Sequence, residues 1–384
     1  MSRSLLNLGC HLYQPPTQNP KIRDEIFRVC YEPLVAHMER YSSIKLSMNL
    51  AFSLGEHLPR EFLGRLRALY KSGQLEMVNT LAYHPLAPIT PRELLVRQIK
   101  INEEFYREYI IGDDPLPGIF PPEMAFKQSL AILFRELGYR WCLADDKMYV
   151  HQRRRLEEHL RAPATWIPEA FGIGVLLRSR ERSVDIAFKD EVWNGRRYAR
   201  ELIIYQKEWR EKLGHSGNSY LYMYLDGETF EHHRPGLLER FLRPFCEEIG
   251  ESNEAELVSL HTIHEQFEKR RTCIPQSSWS TGIGEPPFHL WDHPHNEFHQ
   301  PWNEFIKTAY AMAPIPIPEE LEQLFHKNFY SCSPWQYSMG NKHVARWCLP
   351  GFQRIAHYIA DRYPDSWEKT RLQELIDTMY SLTT

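Results

Sequence analysis

The chain has 384 residues, 42% hydrophobic and 25% charged, with a formal net charge of −4 at pH 7. That balance fits a large globular protein with a sizeable core and offers no basic face for a nucleic acid. Seven cysteines, an odd count without close pairs, and the lack of any apolar run near 18 residues point to free thiols, a cytoplasmic setting and no membrane span. No charged-then-apolar leader opens the chain, so export is not expected.

Leu5 to Gly9 reads as a strand and runs into Cys10-His11-Leu12-Tyr13-Gln14-Pro15-Pro16. Ile44 to Leu50 is the next apolar run. Phe62, Leu63, Leu66, Leu69 and Tyr70 then share one helical face, which Gly73 closes. Leu75 to Val78 leads into Tyr83-His84-Pro85, and Thr90, Pro91 and Glu93 spell a helix start capped by Thr90. Gly118 to Phe120 precedes Glu123. A helix near Ser129 to Leu137, ended by Gly138, leads to the strand Trp141 to Ala144. Arg153 to Arg155 form the densest basic cluster, but Glu157 and Glu158 follow, so the segment reads as solvated. Gly174 to Leu177 and Tyr220 to Leu225 complete seven runs.

Strands alternating with helices predict a parallel sheet, because parallel neighbours need long crossovers. A doubly wound sheet and a closed barrel both fit. In a parallel barrel, chemistry gathers just beyond the carboxyl ends of strands. His11, His84, Glu123 and Asp226 all follow such runs.

After about Pro235 the texture turns helical. Phe352, Ile355, Ala356 and Ile359 share a face, as do Leu372, Leu375, Ile376, Met379 and Tyr380. Before them lies an irregular stretch, Ile274 to Pro301, with Trp279, Trp291 and His289, His293, His295 and His299. The cluster from Trp291 to His299 is expected to form a loop lid or a subunit contact rather than a metal site.

Two carboxylates call for explanation. Asp226 ends the apolar run Tyr220 to Leu225 and is followed by Gly227 and Glu228. A charge there is costly unless the strand has reached its mouth. A turn or helix-cap acid is the plainer alternative. Glu123 follows Pro121 and Pro122, and its plainer alternative is an acid in the first turn of the next helix.

These residues resemble motifs of glycoside hydrolase family 57, which holds α-amylases and 4-α-glucanotransferases. Its opening His-x-His-Gln-Pro is matched by His11 to Pro15, with Tyr13 in place of the second histidine. Leu81-Ala82-Tyr83-His84-Pro85 is similar to its second motif, without the glycines. Gly118 to Glu123 resembles its nucleophile motif, with Phe120 for tryptophan. Asp226 to His233 resembles Asp-Gly-Glu-Thr-Phe-Gly-His-His, with Glu231 for glycine. Arg178 to Phe188 and Gln276 to Ser280 look like two further segments of the family.

The resemblance implies Glu123 as nucleophile and Asp226 as general acid/base of a retaining enzyme acting on α-1,4-glucans. It implies a seven-stranded parallel (β/α) barrel over residues 1–235, with a helical region, 236–384, packed on it. His11, Gln14, His84, Phe120, Arg178, Glu228, Trp279 and Trp302 are the expected substrate contacts. No metal or other cofactor is expected, since two carboxyls suffice for glycosyl transfer. Two alternatives stay open: a glucan-binding protein with weak catalysis, and a metal-dependent deacetylase- or mannosidase-like enzyme using His11 and His84.

Overall fold

The computed structural model describes residues 2–153 and 165–384. Arg154, Arg155, Glu157 and Glu158 of the basic cluster lie outside them. In chain order the strands are β1 (Ser4–Leu12), β2 (Leu46–Leu50), β3 (Leu75–Met77), β4 (Gly118–Ile119), β5 (Trp141–Asp145), β6 (Ile167–Ala170), β7 (Ile173–Arg178), β8 (Ser219–Asp226), β9 (Ala255–Leu257) and β10 (Lys269–Arg271).

They form two five-stranded sheets, β3-β2-β1-β8 with β9 also on β1, and β10-β6-β7-β5-β4. A parallel bridge between Asn79 and Ile119 joins the β3 and β4 edges. Ser179 N–H, just past β7, donates to Tyr222 O of β8 at 3.0 Å. The product is a curled, mainly parallel α/β sheet with a helical C-terminal region.

The predicted runs correspond to β1 to β5, β7 and β8. Three strands are additions. β6 and β7 pair antiparallel, because only Phe171 and Gly172 separate them, at φ 52° and 84°. Two successive left-handed residues make a tight hairpin turn, which leaves no room for a crossover. β9 and β10 come from beyond residue 235, so the sheets draw on both parts of the chain. β9 takes Ser4, Leu5 and Leu6 of β1, below the stretch Gly9 to Leu12 that β2 occupies.

β8 shows why its sequence alternates. Tyr220, Tyr222 and Tyr224 point inward with Phe120, Trp141 and Leu143. Leu221, Met223 and Leu225 point outward to the helices. The inner hydroxyls are all satisfied: Tyr220 donates to Trp166 O at 3.1 Å, Tyr222 to Leu176 O at 2.7 Å, and Tyr224 to Asn49 Oδ1 at 2.8 Å. Asp226 continues the inward series and is the exposed end of an otherwise buried strand. It sits at a mouth.

The helix Arg60–Lys71 buries Phe62, Leu63, Leu66 and Leu69, as its spacing predicts. The helix Arg92–Tyr106 begins later than expected, without a side-chain cap. Thr90 instead donates its hydroxyl to Leu86 O at 2.9 Å, so it is not available as an N-cap. The helices His299–Ala311, Glu319–Asn328, Leu349–Arg362 and Trp367–Thr383 enclose a core of Phe305, Phe325, Phe352, Ile355, Leu372 and Ile376. Trp302 belongs to that core, 1% exposed and 6.2 Å from the Phe352 ring. The cluster from Trp291 to His299 is packed down rather than lid-like: Trp291, Phe298 and His299 are all fully buried.

Glu231, which stands where the resembled motif has glycine, adopts φ 70°. A side chain there costs about 1 kcal/mol or more. Its carboxylate offsets this by accepting from Gly236 N at 2.7 Å and Leu238 N at 3.0 Å, which fixes the exit from β8. Glu231→Ala keeps the strain and loses both bonds, so urea unfolding should show a loss of about 1–3 kcal/mol. Glu231→Gly relieves the strain and should lose less; the opposite order would refute this account of the turn.

Candidate active site

At the carboxyl ends of the strands lies a cleft of about 970 Å³. His11, Tyr13, Gln14, His84, Glu123, Arg178, Asp226, Glu228 and Trp279 line it, together with Tyr330, Cys332 and Trp335 of the helical region. Two expected contacts do not. Trp302 is sealed in the helical core. Phe120 is 0% exposed and stacks behind His11, its ring centre 4.8 Å away, so it supports the wall without forming its surface.

Glu123 owes its position to a strained turn. Pro121 and Pro122 carry the chain past β4, and Glu123 and Met124 then take φ 61° and 46°, in the left-handed region. Such backbone persists only where surroundings hold it. Here Trp279 N–H donates to Glu123 O at 3.0 Å, and Trp279 Nε1 donates to Oε2 at 2.7 Å. Ser331 Oγ lies 3.4 Å from Oε1. Burial, and then the charge of Asp226, push the Glu123 carboxyl up to about 8, against the pull of those two donors.

Asp226 is reached by water through the cleft, but the protein packed around it still disfavours the charge. Burial raises it to about 6, and the Arg178 guanidinium opposes the rise. Arg178 is held by Asp145 Oδ2 at 3.3 Å and lies 5.2 Å over the Trp279 ring. Asp145 also faces Arg180 at 3.7 Å. A buried ion pair thus aims a cation at the acid.

Glu228 is held by two donors. Gln14 Nε2 donates to its Oε1 at 2.6 Å, and the Tyr31 hydroxyl donates to the same oxygen. Burial and then Asp226 push its carboxyl up to about 8.

The two histidines form a stack. His11 and His84 ring centres are 4.8 Å apart, and Tyr13 lies 3.9 Å from His84 on a nearly parallel plane. Tyr13 therefore fills the altered motif position with a flat ring, and its hydroxyl accepts from Cys332 Sγ at 3.4 Å. His11 Nδ1 meets Asn49 Nδ2 at 2.7 Å, which makes Nδ1 the acceptor and puts the ring proton on Nε2. Burial holds both imidazoles well below the usual histidine range.

Sequence reading missed Tyr31, Ser331, Cys332 and Trp335. None follows a strand or stands in a patterned run. Among the described residues, His261, His264 and Glu265 could hold a metal, but none of them lines the cleft. Glu265 Oε1 already meets His264 Nδ1 at 2.9 Å and Arg140 Nη2 at 2.9 Å.

The raised acids predict how stability depends on pH. A carboxyl raised on folding binds more protons in the native state than in the unfolded chain, so stability falls as pH rises through the window. For Glu228 the window runs from 4.5 to about 8. Glu228→Gln keeps an acceptor for Gln14 and should flatten the decline of Tm over that range. An unchanged slope would show that Glu228 does not titrate there.

The profile of glycosyl hydrolase family 57 matches residues 18–275. The α-amylase of Pyrococcus furiosus is 28% identical over 153 residues, 39% of this chain and 23% of its own length. The 4-α-glucanotransferase of Thermococcus litoralis is 26% identical over 161 residues, 41% of this chain and 25% of its own. The chain thus spans about a quarter of the length of these relatives. In fold it is similar to a branching enzyme from Pyrococcus horikoshii, with TM-score 0.72 and 14% identity over 98% of this chain and 94% of that one. It is also similar to the Thermococcus litoralis transferase structure, with TM-score 0.73 and 18% identity over 94% of this chain and 60% of that one. Matched over well beyond half its length, the chain belongs to glycosyl hydrolase family 57.

Proposed function

We propose that this protein cleaves α-1,4-linked glucans with retention, by hydrolysis or by transfer to another glucan. One observation carries the reading: Glu123 and Asp226 line one cleft, where burial raises both carboxyls, the charge of Asp226 raises Glu123 further, and Arg178 opposes the rise at Asp226. Glu123 acts as nucleophile and Asp226 as general acid/base. Gln14, His11, His84, Arg178, Glu228 and Trp279 contact the sugar, and Phe120 backs them. The relatives named α-amylase and 4-α-glucanotransferase support the substrate class. In the same reading β1 to β5, β7 and β8 act as one seven-stranded barrel, residues 1–235 carry the two acids, residues 236–384 pack upon them, and the setting is cytoplasmic.

Without a glucan, burial and Asp226 raise the Glu123 carboxyl further than burial raises that of Asp226, the reverse of the order that attack requires. A bound glucan corrects this. Asp226 is the solvent-exposed member, so sugar covering the cleft removes more of its hydration than that of Glu123. The donors on Glu123 then favour charge there, and one proton shared by the pair resides on Asp226.

Glu123→Ala and Asp226→Ala should each lower turnover by about 10²–10⁴-fold or more while circular dichroism stays native. Near-normal turnover in either variant overturns the pair. Early products from a maltooligosaccharide, read by NMR, should be α-anomers, and products longer than the substrate would add transfer. Initial β-anomers exclude the two-step route, and no cleavage of any glucan favours a binding protein. Exhaustive chelation should leave activity intact; loss that zinc restores would favour the metal-dependent alternative.

A further inference from the structure

Ser331 stands in none of the motifs legible in the sequence, yet it touches both Glu123 and His84. Its backbone is fixed on two sides. The N–H donates to His84 O at 2.9 Å, and the carbonyl accepts from Trp291 Nε1 at 3.1 Å. His84 itself is held at φ 58°. The Ser331 side chain is 0% exposed, with Oγ 2.9 Å from His84 Nδ1 and 3.4 Å from Glu123 Oε1. A hydroxyl has one proton to donate, so it serves only one of these two atoms at a time.

His84 is neutral, because burial and the neighbouring His11 disfavour its charge. A neutral imidazole carries one N–H, on either nitrogen. When Glu123 is ionised, Ser331 donates to Oε1 and accepts from His84 Nδ1–H. His84 Nε2 is then a bare acceptor. When Oε1 is protonated, it donates to Ser331, which in turn donates to His84 Nδ1. The ring proton then sits on Nε2. That nitrogen is buried and without a hydrogen-bond partner among the described residues.

We infer that Ser331 is a positioning residue that ties the tautomer of His84 to the charge on Glu123, turning Nε2 from acceptor to donor as Glu123 gains a proton. The exchange balances. The protonated state holds one more proton, taken from solvent, and it resides on Glu123; His84 keeps one proton, moved from Nδ1 to Nε2. The other titratable groups that bear on Glu123 are Asp226, Tyr13 and Cys332. Burial keeps Tyr13 and Cys332 protonated, so Asp226 moves the pH of the exchange without replacing its route. The use of this coupling in a reaction rests on the glycosidase reading above; the coupling itself does not.

The test is long-range proton–nitrogen NMR on the full chain labelled with ¹⁵N-histidine, with the His84 signal assigned by its loss in His84→Gln. The titration should bracket the pH near 8 to which Glu123 is raised. Expected is the Nδ1–H tautomer above that transition and Nε2–H below it, with Ser331→Thr behaving alike. Ser331→Ala and Glu123→Gln should each hold one tautomer throughout. A wild-type His84 that keeps one tautomer across the titration, or a change that persists in Ser331→Ala, overturns the inference. If Ser331→Ala does not fold, the wild type against Glu123→Gln decides it. A tautomer that follows Glu123 in a protein that cleaves no glucan would leave the inference standing and remove the glycosidase reading.

Discussion

Strand β8 runs parallel to β1 with His11 beside Asp226, and much of the cleft follows from that register. Side chains alternate along strands, so a slip by one residue would turn the inner set outward. In the register observed, Asn7, Gly9 and His11 of β1 share the interior with Tyr220, Tyr222, Tyr224 and Asp226 of β8. Gly9 is required here, because a Cβ would lie 2.3 Å from the Tyr224 ring. The space it leaves lets Tyr224 reach Asn49, and Asn49 then orients His11. A backbone constraint thereby becomes the orientation of an imidazole in the cleft.

Protein packs closely beneath the cleft, and that burial sets its electrostatics. Three carboxyls, Glu123, Asp226 and Glu228, are all raised by burial. Water would screen their mutual repulsion; protein does not. Arg178 relieves Asp226, and its own burial is made tolerable by Asp145. Neutral donors relieve the others: Trp279 and Ser331 at Glu123, Tyr31 and Gln14 at Glu228. Such donors favour the charged form without adding a full charge of their own, so these acids stay poised to exchange protons.

Neither part of the chain makes the site by itself. The strand ends supply the acids and the histidine stack, whereas the irregular stretch and the helical region supply the groups that hold Glu123. Trp279 pins both its backbone and its carboxyl, and Ser331 reaches it from 208 positions away. The helical core around Trp302 and Phe352 matters to the cleft because it fixes the segment that carries Tyr330, Ser331 and Cys332.

The sequence by itself determined what is local. Short apolar runs marked β1 to β5, β7 and β8, helical spacing marked the faces of Arg60–Lys71 and Leu349–Arg362, and polar residues at run ends marked His11, His84, Glu123 and Asp226. Each of these signals lies within a few residues of the feature it reports. Only the tertiary structure decided which distant groups meet. Glu256 interrupts β9 and β10 is Lys269-Arg270-Arg271, so neither reads as an apolar run; the turn between β6 and β7 reverses a direction that alternation alone cannot reveal, and Thr90 follows a competing acceptor. Trp302 carries the same aromatic signal as Trp279, yet one is sealed between helices and the other lies on Glu123. Tyr31 and Ser331 have no pattern at all, because a hydrogen bond to a carboxylate requires only proximity in space, and proximity across 197 or 208 positions is set by how the whole chain packs.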